Sequence, residues 1–120
     1  MKIKKGITVL VLLLAALFAT AQNNHKEIKT VTFSVKGNCE QCKKRIENAA
    51  DIKGVKQSEW DVKTQTIKVI FRADKVSEQQ IKEAIAKAGH DVDGVKAPDE
   101  NYSKLPSCCK YRDKKCEEKK

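Results

Sequence analysis

Five cysteines stand at positions 39, 42, 108, 109 and 116 of this 120-residue chain. Cys39 and Cys42 form a C-x-x-C step inside "FSVKGNCEQCKKRIENAA", residues 33–50. That spacing brings two sulfurs to one point. A thiolate is both a nucleophile and a metal ligand. Two of them suit soft cations such as Cu(I), Zn(II) and, by the same softness, Hg(II). A disulfide and a redox couple use the same residue types. A disulfide between them closes so small a loop that it stabilises little.

The surrounding elements must place the pair. "TVTFSVK" alternates, with Val31, Phe33 and Val35 on one side and Thr30, Thr32 and Ser34 on the other, which predicts a half-buried strand. Gly37-Asn38 breaks it. From Glu40 to about Ile52, Cys42, Ile46, Ala49 and Ala50 recur at helical spacing opposite Lys43, Lys44, Arg45 and Glu47. Cys42 thus falls in the first turn of a helix, where free N–H groups and the helix dipole favour an anion. Lys43, Lys44 and Arg45 add positive charge. Gly54 stops the helix. "VKQSEWDV" and "TIKVIF" predict two strands joined by "KTQT", with Trp60 in the core. Ser77 opens a second helix with Gln80 as its capping-box partner. Ile81, Ala84, Ile85 and Ala88 line the buried face, and Gly89 ends it. "DVDGVKA" predicts a short fourth strand. The order β-α-β-β-α-β is the split βαβ, ferredoxin-like arrangement. It is an α+β sandwich, a four-stranded antiparallel sheet with two helices on one face. So small a core implies modest stability.

This pattern, with "GNCEQCKKRIE" at its first loop, "IKGV" at 52–55, "KTQTIKVIF" at 63–71 and "IKEAIAKAG" at 81–89, resembles the heavy-metal-associated domain. That family includes copper chaperones, modules of copper-transporting ATPases and the periplasmic mercury-binding protein. The resemblance covers residues 30–97. It implies that Cys39 and Cys42 bind the metal. The family's loop reads Gly-Met-x-Cys, with the Met tucked into the core below. Here Gly37-Asn38-Cys39 is one residue shorter and lacks the Met, and Asn38 is placed to hydrogen-bond locally and shape the turn.

His90 follows the second helix, and the fold brings that end near the Cys39 loop. It is a candidate third ligand or a group that tunes the thiolates, against the plainer reading of a buried imidazole without a role. His25 is read as inert. A thiol-disulfide redox protein is the rival for the C-x-x-C step. That class carries a proline facing its active site, whereas Pro98 and Pro106 both follow the domain. No nucleophile-base-acid set or phosphate loop appears, so an enzyme is not expected.

The remaining segments frame the domain. Lys2, Lys4 and Lys5, the apolar run that follows and Ala19-Thr20-Ala21 predict a secretory signal peptide over residues 1–21, cut before Gln22. The apolar run is short for a permanent membrane span. No stable membrane insertion is expected after cleavage, and the chain is predicted to be periplasmic or secreted. Loss of three lysines takes the formal charge from +9 to +6. The basic residues are scattered, so nucleic acid is not an expected partner. Residues 22–29 read as a flexible lead and 98–120 as a linker with a cysteine-rich, charged tail. An oxidising compartment favours disulfides, and the odd cysteine count leaves at least one sulfur over. Cys116 can pair with Cys108 or Cys109. Alternatively, Cys108, Cys109 and Cys116 fold back to add sulfurs to the metal site or hold a second ion. The sequence as a whole predicts an exported carrier of one soft ion, Cu(I) before Hg(II) or Zn(II). Thiolate exchange would pass that ion to a metal-transporting membrane protein or another carrier.

Overall fold

The computed structural model describes residues 27–113. The expected signal peptide, His25 and Cys116 lie outside them. Strand β1 (Ile28–Ser34) leads into helix α1 (Glu40–Ala50). The hairpin β2 (Val55–Asp61) and β3 (Thr66–Arg72) follows, then helix α2 (Glu78–Lys87). Both outer strands pair antiparallel with β3, in the order β1-β3-β2. The register sets Phe33 and Trp60 on either side of Ile67.

The apolar alternation decides which side is covered. Phe33, Trp60, Ile67, Val69 and Phe71 are buried, and they form one cluster with Cys42, Ile46 and Ala50 of α1 and Ile81 and Ile85 of α2. At about 25 cal/mol per Å² of apolar surface removed from water, this shared burial is the main stabilising term. Ser77 caps α2 as the sequence predicts, its side chain accepting from the Gln80 N–H while Gln80 Oε1 accepts from the Ser77 N–H. Gln65 closes the β2–β3 turn at φ 58°.

The fourth strand does not form as predicted, and the sheet has three strands. The segment touches the edge at single bridges, Val35 with Val92 and Val92 with Val95. The cause is Asp93-Gly94, a strong two-residue turn signal. Gly94 takes φ 76°, and Val92 and Val95 exchange both backbone hydrogen bonds, 2.9 and 2.8 Å. The chain therefore reverses before a ladder can lengthen. Two bonds still tie it to the end of β1, Lys36 N–H to Asp91 O (2.9 Å) and Asp93 N–H to Ser34 O (3.0 Å).

Residues 98–113, read from the sequence as linker and cysteine-rich tail, are ordered against the domain. After Pro98 comes a short helix, α3 (Asp99–Ser103), and then a 3₁₀ turn (Ser107–Cys109). This strap folds back over the domain and adds Leu105 and Cys109 to the core. Its path requires Gly89, which sits at φ 106° with Asn101 O 2.9 Å and the Leu105 side chain 3.0 Å from where a Cβ would be. Asn101 Nδ2–H donates to Lys87 O at 2.7 Å, satisfying a carbonyl at the end of α2. Among the described residues no helix is long and apolar enough to cross a membrane.

Candidate metal centre

Cys39 is the N-cap of α1, with extended backbone (φ −156°, ψ 173°). Cys42 lies one turn on, facing inward and fully buried. Their sulfurs are 3.3 Å apart. Burial pushes the Cys39 thiol up. Hydrogen bonds from Cys42 Sγ and its backbone N–H, from Cys109 Sγ and from the Gln41 amide outweigh that and hold it below its ordinary value. Burial dominates at Cys42 and raises its thiol. Cys42 Sγ–H donates to Asn38 Oδ1 at 3.2 Å, so Asn38 shapes the loop as its position predicts. Cys39 is therefore the more acidic thiol of the pair.

The lysines do not produce that polarity. Lys43 Nζ turns to Glu47 (3.0 Å) and to Trp60 O (3.0 Å). The donors that lower the Cys39 pKa come from the helix start and the neighbouring thiols. The floor of the loop comes from the sheet. Trp60 is buried and its Nε1–H donates to Val35 O at 3.0 Å. Its ring lies against Gly37, only 2.9 Å from where a Cβ would stand. The indole forms the floor of the loop.

The strap brings two more thiols. Cys109 Sγ is 3.7 Å from Cys39 Sγ, and Cys39 Sγ–H points to Cys108 O at 3.3 Å. The sulfurs of Cys39, Cys108 and Cys109 all lie within 4.8 Å of one another. Cys108 Sγ–H donates to Gln41 Oε1 at 2.7 Å. Burial and the adjoining Cys42 and Cys39 sulfurs push the Cys109 thiol far up. All four are free thiols. The expected pairing with Cys116 falls outside the described residues.

His90 is buried and not in that cluster. Its Nδ1–H donates to Lys36 O at 2.7 Å, which leaves Nε2 as a bare buried lone pair without a hydrogen-bond partner. Burial lowers its basicity. The ring stacks on Tyr111, with centroids 5.5 Å apart. His90 thus buttresses the backbone entering the Cys39 loop. Tyr111 and Arg112, to which the sequence assigned nothing, hold the strap. Tyr111 OH donates to Gly89 O (2.9 Å) and accepts from Asp91 N–H (2.8 Å). Arg112 grips Asp91 through Nη2 (2.6 Å) and Nε (3.2 Å).

An antiparallel α+β domain with a thiol cluster at its first strand-to-helix loop defines a small soft-metal-binding module. Residues 27–91 match the heavy-metal-associated domain, and the chain belongs to that family. Over 65 residues it is 37% identical to the copper chaperone CopZ of Staphylococcus saprophyticus, covering 52% of this chain and 96% of that protein. Oxidized MerP from Ralstonia metallidurans matches with a TM-score of 0.52 at 31% identity, over 55% of this chain and 94% of that one. The N-terminal domain of a potential copper-translocating P-type ATPase from Bacillus subtilis, solved Cu(I)-loaded, matches with a TM-score of 0.52 at 26% identity. That match covers 55% of this chain and 85% of the domain. The family match ends before the strap begins.

Proposed function

We propose that this protein is an exported carrier of one soft cation, Cu(I) before Hg(II) or Zn(II), held by the thiolates of Cys39 and Cys42. The observation that carries the reading is the Cys39 sulfur, set at the start of α1 and 3.3 Å from the Cys42 sulfur, with hydrogen bonds that lower its pKa. The more acidic Cys39 thiol gives up its proton first and captures the ion. Binding then draws the proton from Cys42, because metal ligation favours the ionised form. Two sulfurs leave a soft ion under-coordinated, so an incoming thiolate can enter and one of these can leave. Ligand exchange of that kind suits delivery to a metal-transporting membrane protein or another carrier. Similarity to a copper chaperone and to a domain of a copper-translocating ATPase supports the ion and the partner class. The basic, apolar start of the chain supports export to a periplasmic or extracellular space.

The 3.3 Å contact between an activated and a buried thiol favours one alternative, thiol-disulfide exchange. A Cu(I) competition titration of reduced protein separates the two. The carrier binds one equivalent tightly, and Cys39→Ser with Cys42→Ser abolishes that binding. A protein that turns over disulfides and takes up no metal is the redox protein instead.

A further inference from the structure

We propose that the strap of residues 98–113 is part of the metal centre, supplying Cys109 as a third thiolate to the ion on Cys39 and Cys42. This deepens the carrier reading and rests on it.

Distances favour three sulfurs over two. A metal–sulfur bond of about 2.3 Å puts two sulfurs about 4.6 Å apart around a linear ion, and three about 4.0 Å apart around a trigonal one. The Cys39–Cys42 separation is 3.3 Å and the Cys39–Cys109 separation 3.7 Å. The thiols reach the trigonal arrangement with the smaller movement. Cys39 is the hub, shared by the C-x-x-C pair and by the cluster with Cys108 and Cys109.

The plain alternative is that Cys109 is a small buried hydrophobe. Three observations count against it. Its sulfur lies 3.7 Å from the Cys39 sulfur. The strap that carries it is fastened at several points, by Arg112 to Asp91 and Ala97 O, by Tyr111 to Gly89 O, and by the Tyr111–His90 stack. Those fastenings hold the 3₁₀ turn over α1. The strap is also additional to the family's matched span, so the domain does not require it for its own sheet.

A third thiolate encloses the ion and sets how it leaves. An acceptor thiol loses its proton and enters as thiolate, while Cys109 departs and is reprotonated. The metal's charge and oxidation state do not change. Handover then needs the strap to lift, so small chelators compete poorly against a closed site.

X-ray absorption on the reduced full chain carrying one equivalent of Cu(I) counts the sulfurs directly. Three sulfur neighbours are expected. Two would overturn the strap's role while leaving Cys39 and Cys42 as ligands, and no tight uptake would sink the carrier reading itself. Cys109→Ala is expected to lower the count to two and weaken Cu(I) by at least about tenfold, the lower end seen on losing even an outer partner of a metal ligand. An unchanged count and affinity in that variant would overturn the proposal. Should the variant misfold, the wild-type count still decides. Cys108→Ala should keep three sulfurs, and a fall to two there would contradict the assignment to Cys109.

Discussion

Arg112→Ala removes the main fastening of the strap. The guanidinium makes a two-point contact with the Asp91 carboxylate at 2.6 and 3.2 Å and also donates to Ala97 O at 3.0 Å. Its Cζ lies 4.3 Å from the centre of the Tyr102 ring. Arg112 and Asp91 are about a quarter exposed, 24% and 27%, so solvent screens the pair. The lower end of the range for hydrogen bonds to charged groups, about 1.5 kcal/mol, is the appropriate figure. The ring contact adds about 0.5–1 kcal/mol at a partly exposed site. Together the latch stabilises the docked strap by about 2–2.5 kcal/mol, or about 30- to 60-fold in the opening equilibrium. Because the lost contacts belong to the strap, the effect should appear as local opening rather than global unfolding. The Leu105 and Cys109 amides, bonded to Tyr102 O and Pro106 O, report it by hydrogen exchange. They should exchange about 30- to 60-fold faster in the variant, with β3 amides such as Val69 unchanged. Equal rates in variant and parent would show that Arg112 does not hold the strap. Equal acceleration in β3 would show that the strap has no opening of its own.

Gly37→Ala places a methyl 2.9 Å from the Trp60 ring and 3.1 Å from the Cys42 Cβ. Overpacking of this kind costs about 1–3 kcal/mol. The melting temperature should fall by several degrees and Cu(I) affinity should drop as the loop shifts; a variant as stable and as tight as the parent would count against a packed floor under the loop. His90 is held neutral by burial, with its basicity below normal. As pH falls below about 6.5 the unfolded chain gains a proton that the folded chain refuses, so this contribution to stability is full above that pH and is lost below it. His90→Phe keeps the stack on Tyr111 and should flatten the fall in melting temperature on acidification, whereas identical slopes would contradict a buried neutral imidazole.

The strands and helices of the domain were legible because period-2 and period-3.6 apolar patterns survive in a half-buried sheet and two amphipathic helices. The Ser77 capping box and the C-x-x-C step at the start of α1 were legible for a similar reason, since both are local. The fourth strand was misread because the apolar residues Val92, Val95 and Ala97 suggested a strand, while Asp93-Gly94 dictated a turn within the same seven residues. The strap was not legible. Its order comes from contacts distant in sequence, Arg112 with Asp91 and Tyr111 with Gly89 and His90, and no periodicity records such pairings. Trp60 was placed in the core, but its role as the floor of the metal loop depends on Gly37 lacking a side chain. The Arg112–Asp91 pair did carry a weak signal, an arginine in a cysteine-bearing tail and an acid beside His90, but spacing alone does not join them.

The account stands or falls on whether Cys39 and Cys42 grip a soft ion. Titrating the reduced protein with Cu(I) against a chromophoric competitor measures this directly. The account predicts one tightly bound equivalent that vanishes in the Cys39→Ser, Cys42→Ser double variant; tight uptake that persists undiminished in that variant, or none in the parent, would contradict it.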